Sequence, residues 1–252
     1  MRFDIITILP CLFDSVFSGG ILKRAIEKGL IQVQIHNLRN YTEDKHKQVD
    51  DRPFGGGQGM VMKAEPIFNA VEHIQEKKGS PVYLLSPQGK KFDSGKAKKW
   101  SEYEQIILVC GRYEGVDERV IRYLITDEIS IGDYILSGGE YASLVIVDAV
   151  SRFIPGVVGK EESVQQDSFS KNLFDFPQYT RPRDFRGMKV PSVLFSGDHQ
   201  KIGQWRREES LKKTWIRRPD LMDKDLSEED KAILGKIKSE KKGKNHESDE
   251  SC

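Results

Sequence analysis

Between residues 81 and 154, short apolar runs rich in β-branched residues alternate with stretches of helical spacing, and this constrains the fold more than any other feature of the chain. Val82–Leu85, Ile106–Cys110 and Ile129–Ile131 read as strands, whereas Glu118–Leu124 and Tyr141–Phe153 place apolar residues three and four apart and read as helices. That order predicts an α/β fold with a mostly parallel sheet covered by helices. The first 74 residues carry the same signature: Phe3–Leu9 reads as a strand, Ser15–Lys28 as a helix and Ile31–His36 as a strand, followed by a polar loop and a glycine-rich turn.

Around Pro155 the character changes. Residues 159–171 (GKEESVQQDSFSK) are polar, hold few apolar anchors and read as a flexible linker. The expected organisation is an α/β domain over 1–158, a linker over 159–171 and a small all-α domain over 172–240. In that second domain Asp198 is placed to cap a helix running to about Arg217, with Trp205 and Trp215 on its buried face. Ser227 and Asp230 have the spacing of a capping box for a last helix. The Lys/Glu/Ser/Asn-rich residues 241–252 are expected to be disordered.

Forty Lys+Arg against 39 Asp+Glu leave a net charge of +1, so no global field draws the protein to nucleic acid. Locally it is different. From Arg181 to Arg218 eleven basic residues face four acids, with Tyr179, Phe185, Trp205 and Trp215 interleaved, a mixture that suits phosphates and unstacked bases. The three cysteines, Cys11, Cys110 and Cys252, have no disulfide or zinc-ligand spacing. No run approaches the ~20 apolar residues a bilayer requires, and the opening residues lack a signal-sequence pattern, so a cytoplasmic protein is expected.

Three of the strand candidates run into glycine-bearing loops: Ser86–Gly89, Gly111–Gly115 and Gly132–Glu140. In a parallel sheet these emerge at one edge, where open α/β folds bind ligands, and glycine lets the backbone approach a ligand closely. The phosphate-binding patterns are missing. Phe54–Met60 (FGGGQGM) lacks the Lys-Ser/Thr of a P-loop, and no Gly-x-Gly-x-x-Gly follows a strand, which disfavours a nicotinamide-dependent oxidoreductase.

Gly111–Arg119 (GRYEGVDER), Ser130–Glu140 (SIGDYILSGGE), Gln178–Pro182 (QYTRP), Val190–His199 (VPSVLFSGDH) and Arg217–Leu221 (RRPDL) closely resemble the bacterial tRNA (guanine-N1)-methyltransferases, knotted enzymes of the SPOUT class. The resemblance runs in order from Phe3 to about Leu234. It implies a deep trefoil knot in the C-terminal part of the α/β domain, a tRNA-binding helical domain and a homodimer. It also implies transfer of a methyl group from S-adenosylmethionine to N1 of the guanosine 3′ of the anticodon (position 37).

By position, the resemblance implies a cofactor pocket built from Leu84, Leu85, Ser86 and Pro87, from Gly111, Tyr113, Glu114 and Gly115, and from Ser130, Ile131, Gly132, Asp133, Tyr134, Ile135, Leu136, Gly138 and Gly139. The family often has Tyr directly before its Leu-Ser-Pro step, whereas this chain has Leu84 there with Tyr83 preceding it, so a backbone contact is expected at that position. Asp167 is implied as the base that removes the N1 proton and Arg152 as the cation near O6. Magnesium is implied as a further ion, with Glu114 a candidate contributor. Arg52, Arg181, Arg183, Arg206, Arg207, Lys212 and Lys213 are the candidates for tRNA contact, and Asp50 and the Pro53–Met60 loop for the neighbourhood of the target base. Two alternatives stay open: a ribose 2′-O- or ribosomal RNA methyltransferase of the same fold, and a non-catalytic RNA-binding module.

Overall fold

The computed structural model describes residues 1–75, 79–159, 168–169, 173–222 and 226–249, the last helix by its backbone alone beyond residue 239. The chain divides into two compact units, Met1–Glu161 and Glu162–Cys252.

The first unit is built on a five-stranded sheet in the order β2-β1-β6-β5-β7, with β1 Arg2–Thr7, β2 Gln32–Asn37, β5 Val82–Lys91, β6 Gln105–Cys110 and β7 Asp127–Ser130, every pairing parallel. Both faces are buried, which is why the strands read as continuous apolar runs rather than as alternating ones. One face presents Phe3, Ile5, Ile106, Leu108 and Cys110 to α2 (Gly20–Glu27), α4 (Ser94–Trp100) and α6 (Glu140–Ser151). The other presents Ile6, Val82, Ile107 and Val109 to α3 (Ala64–Ile74) and α5 (Glu118–Tyr123). The alternation of neighbouring residues between the two cores is the period of two that an extended chain imposes.

Several boundaries depart from the sequence reading. The helix expected over Ser15–Lys28 is broken into α1 (Asp14–Phe17) and α2, because Gly20 takes φ +68° and turns the chain. A short hairpin, β3 (Asp50–Asp51) with β4 (Val61–Met62), frames the glycine-rich turn. Strand β5 runs on to Lys91, but its register with β7 slips: Leu85 and Lys90 both pair with Ile129, so the four residues between them leave the ladder.

The second unit centres on α7 (His199–Arg217) and α8 (Glu228–Asp249), which enclose Leu173, Leu211, Met222 and Leu234 with Trp215 against them. Asp198 caps α7 by accepting from the Gln200 and Lys201 amides, and Ser227 and Asp230 exchange the reciprocal bonds of a capping box. The unit is not wholly helical, since Gly187, at φ +81°, closes a hairpin of β8 (Asp184–Phe185) and β9 (Met188–Lys189). Trp205 is not on the buried face either: at about 100° per residue it lies about 120° around α7 from Leu211. Helix α8 continues to Asp249, through residues expected to be disordered, in keeping with the good helix propensity of its Lys and Glu residues. Among the described residues no helix is long and apolar enough to cross a membrane.

Candidate active site

The C-terminal ends of β5, β6 and β7 open into a crevice of about 430 Å³. Every residue named above for the cofactor pocket lines it except Asp133. Gln88, Arg112, Val116, Glu118, Ile121, Glu128, Ile129, Ser137 and Ala142 complete the lining. Three loops separated along the chain thus converge on one space.

Close backbone packing explains the glycines. A Cβ on Gly139 would stand 2.8 Å from the Cys110 Cα and 3.0 Å from the Leu85 Cβ, so the loop entering α6 lies directly on the ends of β5 and β6. Its amide donates to the Gly111 carbonyl at 2.9 Å. Gly89 crosses β7 so closely that a Cβ there would meet the Ile129 amide nitrogen at 2.3 Å, which lets Ser86–Gln88 fold out as a wall of the crevice. Tyr113 sits at φ +60°, a strained conformation for a residue with a side chain. The Glu114 amide, bonded to the Met60 carbonyl at 3.0 Å, and the Gly115 amide, bonded to the Arg112 carbonyl at 3.1 Å, hold it there.

Beneath the crevice lies a polar cluster that local sequence reading did not find. The Glu140 carboxylate is wholly buried, accepts from the Thr7 hydroxyl at 2.8 Å and pairs with the Arg112 guanidinium at 3.0 Å. Thr7 is 133 residues away in sequence, so no local pattern could reveal the contact. The neighbouring Cys110 thiol is pushed up by burial and by the Glu140 charge, which keeps it protonated and inert.

Charge distinguishes what the crevice can hold. Glu114, Glu118 and Glu128 border it, while the charge of Arg112 is matched by Glu140. Such a lining suits a ligand with a positive centre and opposes a pyrophosphate. Ile131, Tyr134 and Leu136 add apolar surface, and the strand ends offer backbone amides and carbonyls to a heterocycle. Tyr83, next to the family's tyrosine position, turns away and stacks on Trp100 at 4.0 Å between centroids. Among the described residues no group of three or more His, Cys, Asp or Glu could hold a metal ion.

The glycine-rich turn joins the same rim. The Met62 amide donates to the Gly115 carbonyl at 3.0 Å, and a Cβ on Gly59 would meet the Glu114 carboxylate at 2.4 Å. Gly55, Gly56, Gly57 and Gly59 all take positive φ, and Phe54 beside them is fully exposed. Arg52 and Asp51 lie at the base of this turn, exposed. Arg152 caps the far end of α6, and Asp167 lies outside the described residues. In the second unit Arg207 is closed on Asp230, its Nε 2.7 Å from Oδ1, and Lys213 donates to the Asp175 carbonyl at 3.1 Å. Lys212 lies 3.7 Å from Glu209, while Arg181, Arg183 and Arg206 border a separate cavity.

A parallel three-layer α/β unit with a glycine-walled, carboxylate-bordered crevice at the strand ends places the candidate site where enzymes of the α/β class bind their ligands. Residues 1–224 match the family described as tRNA (Guanine-1)-methyltransferase TrmD, and the chain belongs to that family. It is 54% identical over 241 residues to a tRNA (guanine-N(1)-)-methyltransferase of Dictyoglomus turgidum, covering 95% of this chain and 98% of that protein. Proteins of the same name from Geobacillus kaustophilus and Staphylococcus carnosus are 54% identical over 224 residues (88% of this chain, 92% of that protein) and 52% identical over 245 residues (97% and 100%). An enzyme of this family requires a methyl donor.

Proposed function

We propose that the protein transfers a methyl group from S-adenosylmethionine to N1 of the guanosine immediately 3′ of the anticodon of a tRNA, in the cytoplasm. The observation that carries this reading is the convergence of the three glycine-bearing loops on one crevice in a chain of this family. S-adenosylmethionine, when bound, supplies an electrophilic methyl on a sulfonium. Glu114 and Glu128 favour that positive charge, and Ile131 and Leu136 give its apolar parts a bed.

Guanine N1 carries a proton and is a weak nucleophile at neutral pH, so the reaction needs a base at N1 and a cation where charge grows on O6. Asp167 takes the first role and Arg152 the second. Asp167 belongs to the polar stretch 159–171 that the sequence marks as a connector, and in this reading tRNA binding completes the site only when substrate is present.

Two features of the first unit support a homodimer. Tyr141 and Val145, one turn apart on α6, are 53% and 48% exposed, and Ile135 before them is 81% exposed, an apolar strip suited to a second copy. Arg152 ends the same helix that Glu140 begins at the crevice, about 18 Å away at 1.5 Å per residue, so it serves the crevice of a partner more readily than its own. The trefoil knot of this reading rests on the chain's family. Unit 2 is the tRNA-binding domain of this reading, with Arg181, Arg183, Arg206, Lys212 and Lys213 toward the RNA and Arg52 near the target base.

The test is to incubate the protein with methyl-labelled donor and unmodified tRNA and to map the product. A reverse-transcription stop at the guanosine beside the anticodon is expected. Label on a ribose 2′-oxygen, read as protection of the adjacent linkage from alkali, or donor binding without transfer, would overturn the reading.

A further inference from the structure

The second unit holds a cavity that methyl transfer does not use. It lies between Phe176–Arg183, the turn Ser192–Phe195 and the first turns of α7, and its volume is about 510 Å³. Four of its thirteen described lining residues are aromatic: Phe176, Tyr179, Phe195 and Trp205. Tyr179 and Trp205 stand 6.2 Å apart between ring centroids at 50°, and Tyr179 and Phe195 remain 50% and 44% exposed. Two arginines rest on rings around it: the Arg183 guanidinium is 4.3 Å from the Phe195 centroid, and that of Arg206 is 4.6 Å from Phe176.

Among the described residues no acid lines this cavity, so Arg181, Arg183 and Arg206 give its described lining a charge of +3. That separates them from Arg207 and Arg218, whose guanidinia are closed on Asp230 and Asp220. A ring that only needed burial would sit in the core around Leu211, as Trp215 does. Partly exposed rings beside cations that lie over neighbouring rings form a stacking platform for a base, with a basic rim for the phosphates on either side. The volume falls within the range of pockets that enclose a small organic ligand, and a nucleotide is of that size.

We propose that this cavity receives one unstacked nucleotide of the bound tRNA, its base on Tyr179 and Trp205 and its flanking phosphates against Arg181, Arg183 and Arg206. The proposal rests on the reading of the protein as a tRNA enzyme and goes beyond it. The second unit recognises RNA through a base drawn out of its stack, not through the charge of the backbone alone. An apolar peptide would leave three cations unmatched, and duplex nucleic acid offers no free base face.

The test uses the full-length protein and an anticodon stem-loop carrying a single abasic sugar at each unpaired position in turn, the target guanosine excepted. Binding is read for wild type, Trp205→Ala and Tyr179→Ala, with thermal melts to show that each variant is folded. One abasic position is expected to weaken wild-type binding roughly tenfold, and Trp205→Ala to bind the intact loop roughly tenfold more weakly. The two losses should not add: in Trp205→Ala that abasic position should cost nothing further. Should one variant fail to fold, the other carries the same comparison. Wild-type affinity in a folded variant, or losses that add at every position, would overturn the proposal. So would a proline-rich decapeptide whose binding Trp205→Ala abolishes while RNA binding is untouched. Methyl transfer measured alongside separates the two readings, since transfer without this coupling overturns the cavity alone, and coupling without transfer overturns the activity alone.

Discussion

Arg112, on the loop after β6, and Glu140, the first residue of α6, hold each other at 3.0 Å beneath the crevice, with the carboxylate wholly out of water. Because the Thr7 hydroxyl donates to the same carboxylate oxygen at 2.8 Å, one side chain ties together the end of β1, the Gly111–Gly115 loop and the entry to α6. Removing one member of a buried pair strands the other, so Glu140→Ala should lower the free energy of unfolding by about 3–5 kcal/mol. Thr7→Val, which deletes the hydroxyl's bond to Glu140 and the one it accepts from the Leu9 amide at 2.9 Å, should cost about 1–3 kcal/mol. Urea titrations of the two variants check both values.

Gly139→Ala tests the seating of the loop. The new methyl would stand 2.8 Å from backbone at Cys110, and backbone cannot swing aside as a side-chain tip can. Overpacking of this kind costs about 1–3 kcal/mol. Much of it should appear as lost donor affinity, because the segment displaced is a wall of the crevice. Calorimetric titration with S-adenosylmethionine reads it.

Arg207 and Arg181 should fail in different ways. Arg207 faces the carboxylate of Asp230, which is 4% exposed and whose pKa its bond to Arg207 holds below the usual range. Arg207→Ala should therefore lower stability by about 1.5–3 kcal/mol and leave the salt dependence of tRNA binding unchanged. Arg181→Ala should leave stability unchanged and make the logarithmic salt slope shallower by about one. Denaturation curves and binding at several salt concentrations separate the two.

The sheet was legible in sequence because burial on both faces writes an apolar run at each strand, and the glycine-bearing loops were legible because each follows such a run. What was not legible depends on contacts between distant segments. The register slip of β5 follows from Gly89 crossing the Ile129 backbone, and the role of Glu140 follows from Thr7, on another strand. Trp205 reads as a core residue beside Trp215 until helical phase is counted from Leu211, when it falls on the side of the open cavity. Asp167 was identified through the resemblance, since a lone acid in a polar connector carries no signal of its own.

Asp4 sets the behaviour in acid. Burial alone would raise its pKa, but hydrogen bonds from His36, Arg2 and Gln105 and the Arg2 charge outweigh this and hold the carboxyl below its usual value. A carboxylate depressed in the folded state adds stability above its unfolded pKa and loses it as pH falls through the folded value. Stability should therefore hold down to about pH 4 and decline below it. Asp4→Asn should be less stable at neutral pH and show a flatter decline, as thermal melts across pH 2–6 would reveal.

The central claim, that a linker carboxylate takes the N1 proton of a guanosine facing a crevice-held methyl donor, is tested most directly by single-turnover methyl transfer in Asp167→Asn. Donor affinity should match wild type, while the transfer rate should fall by about 10²–10⁴-fold, the contribution of a positioned base. A variant that binds donor and tRNA and transfers the methyl at the wild-type rate would contradict the account.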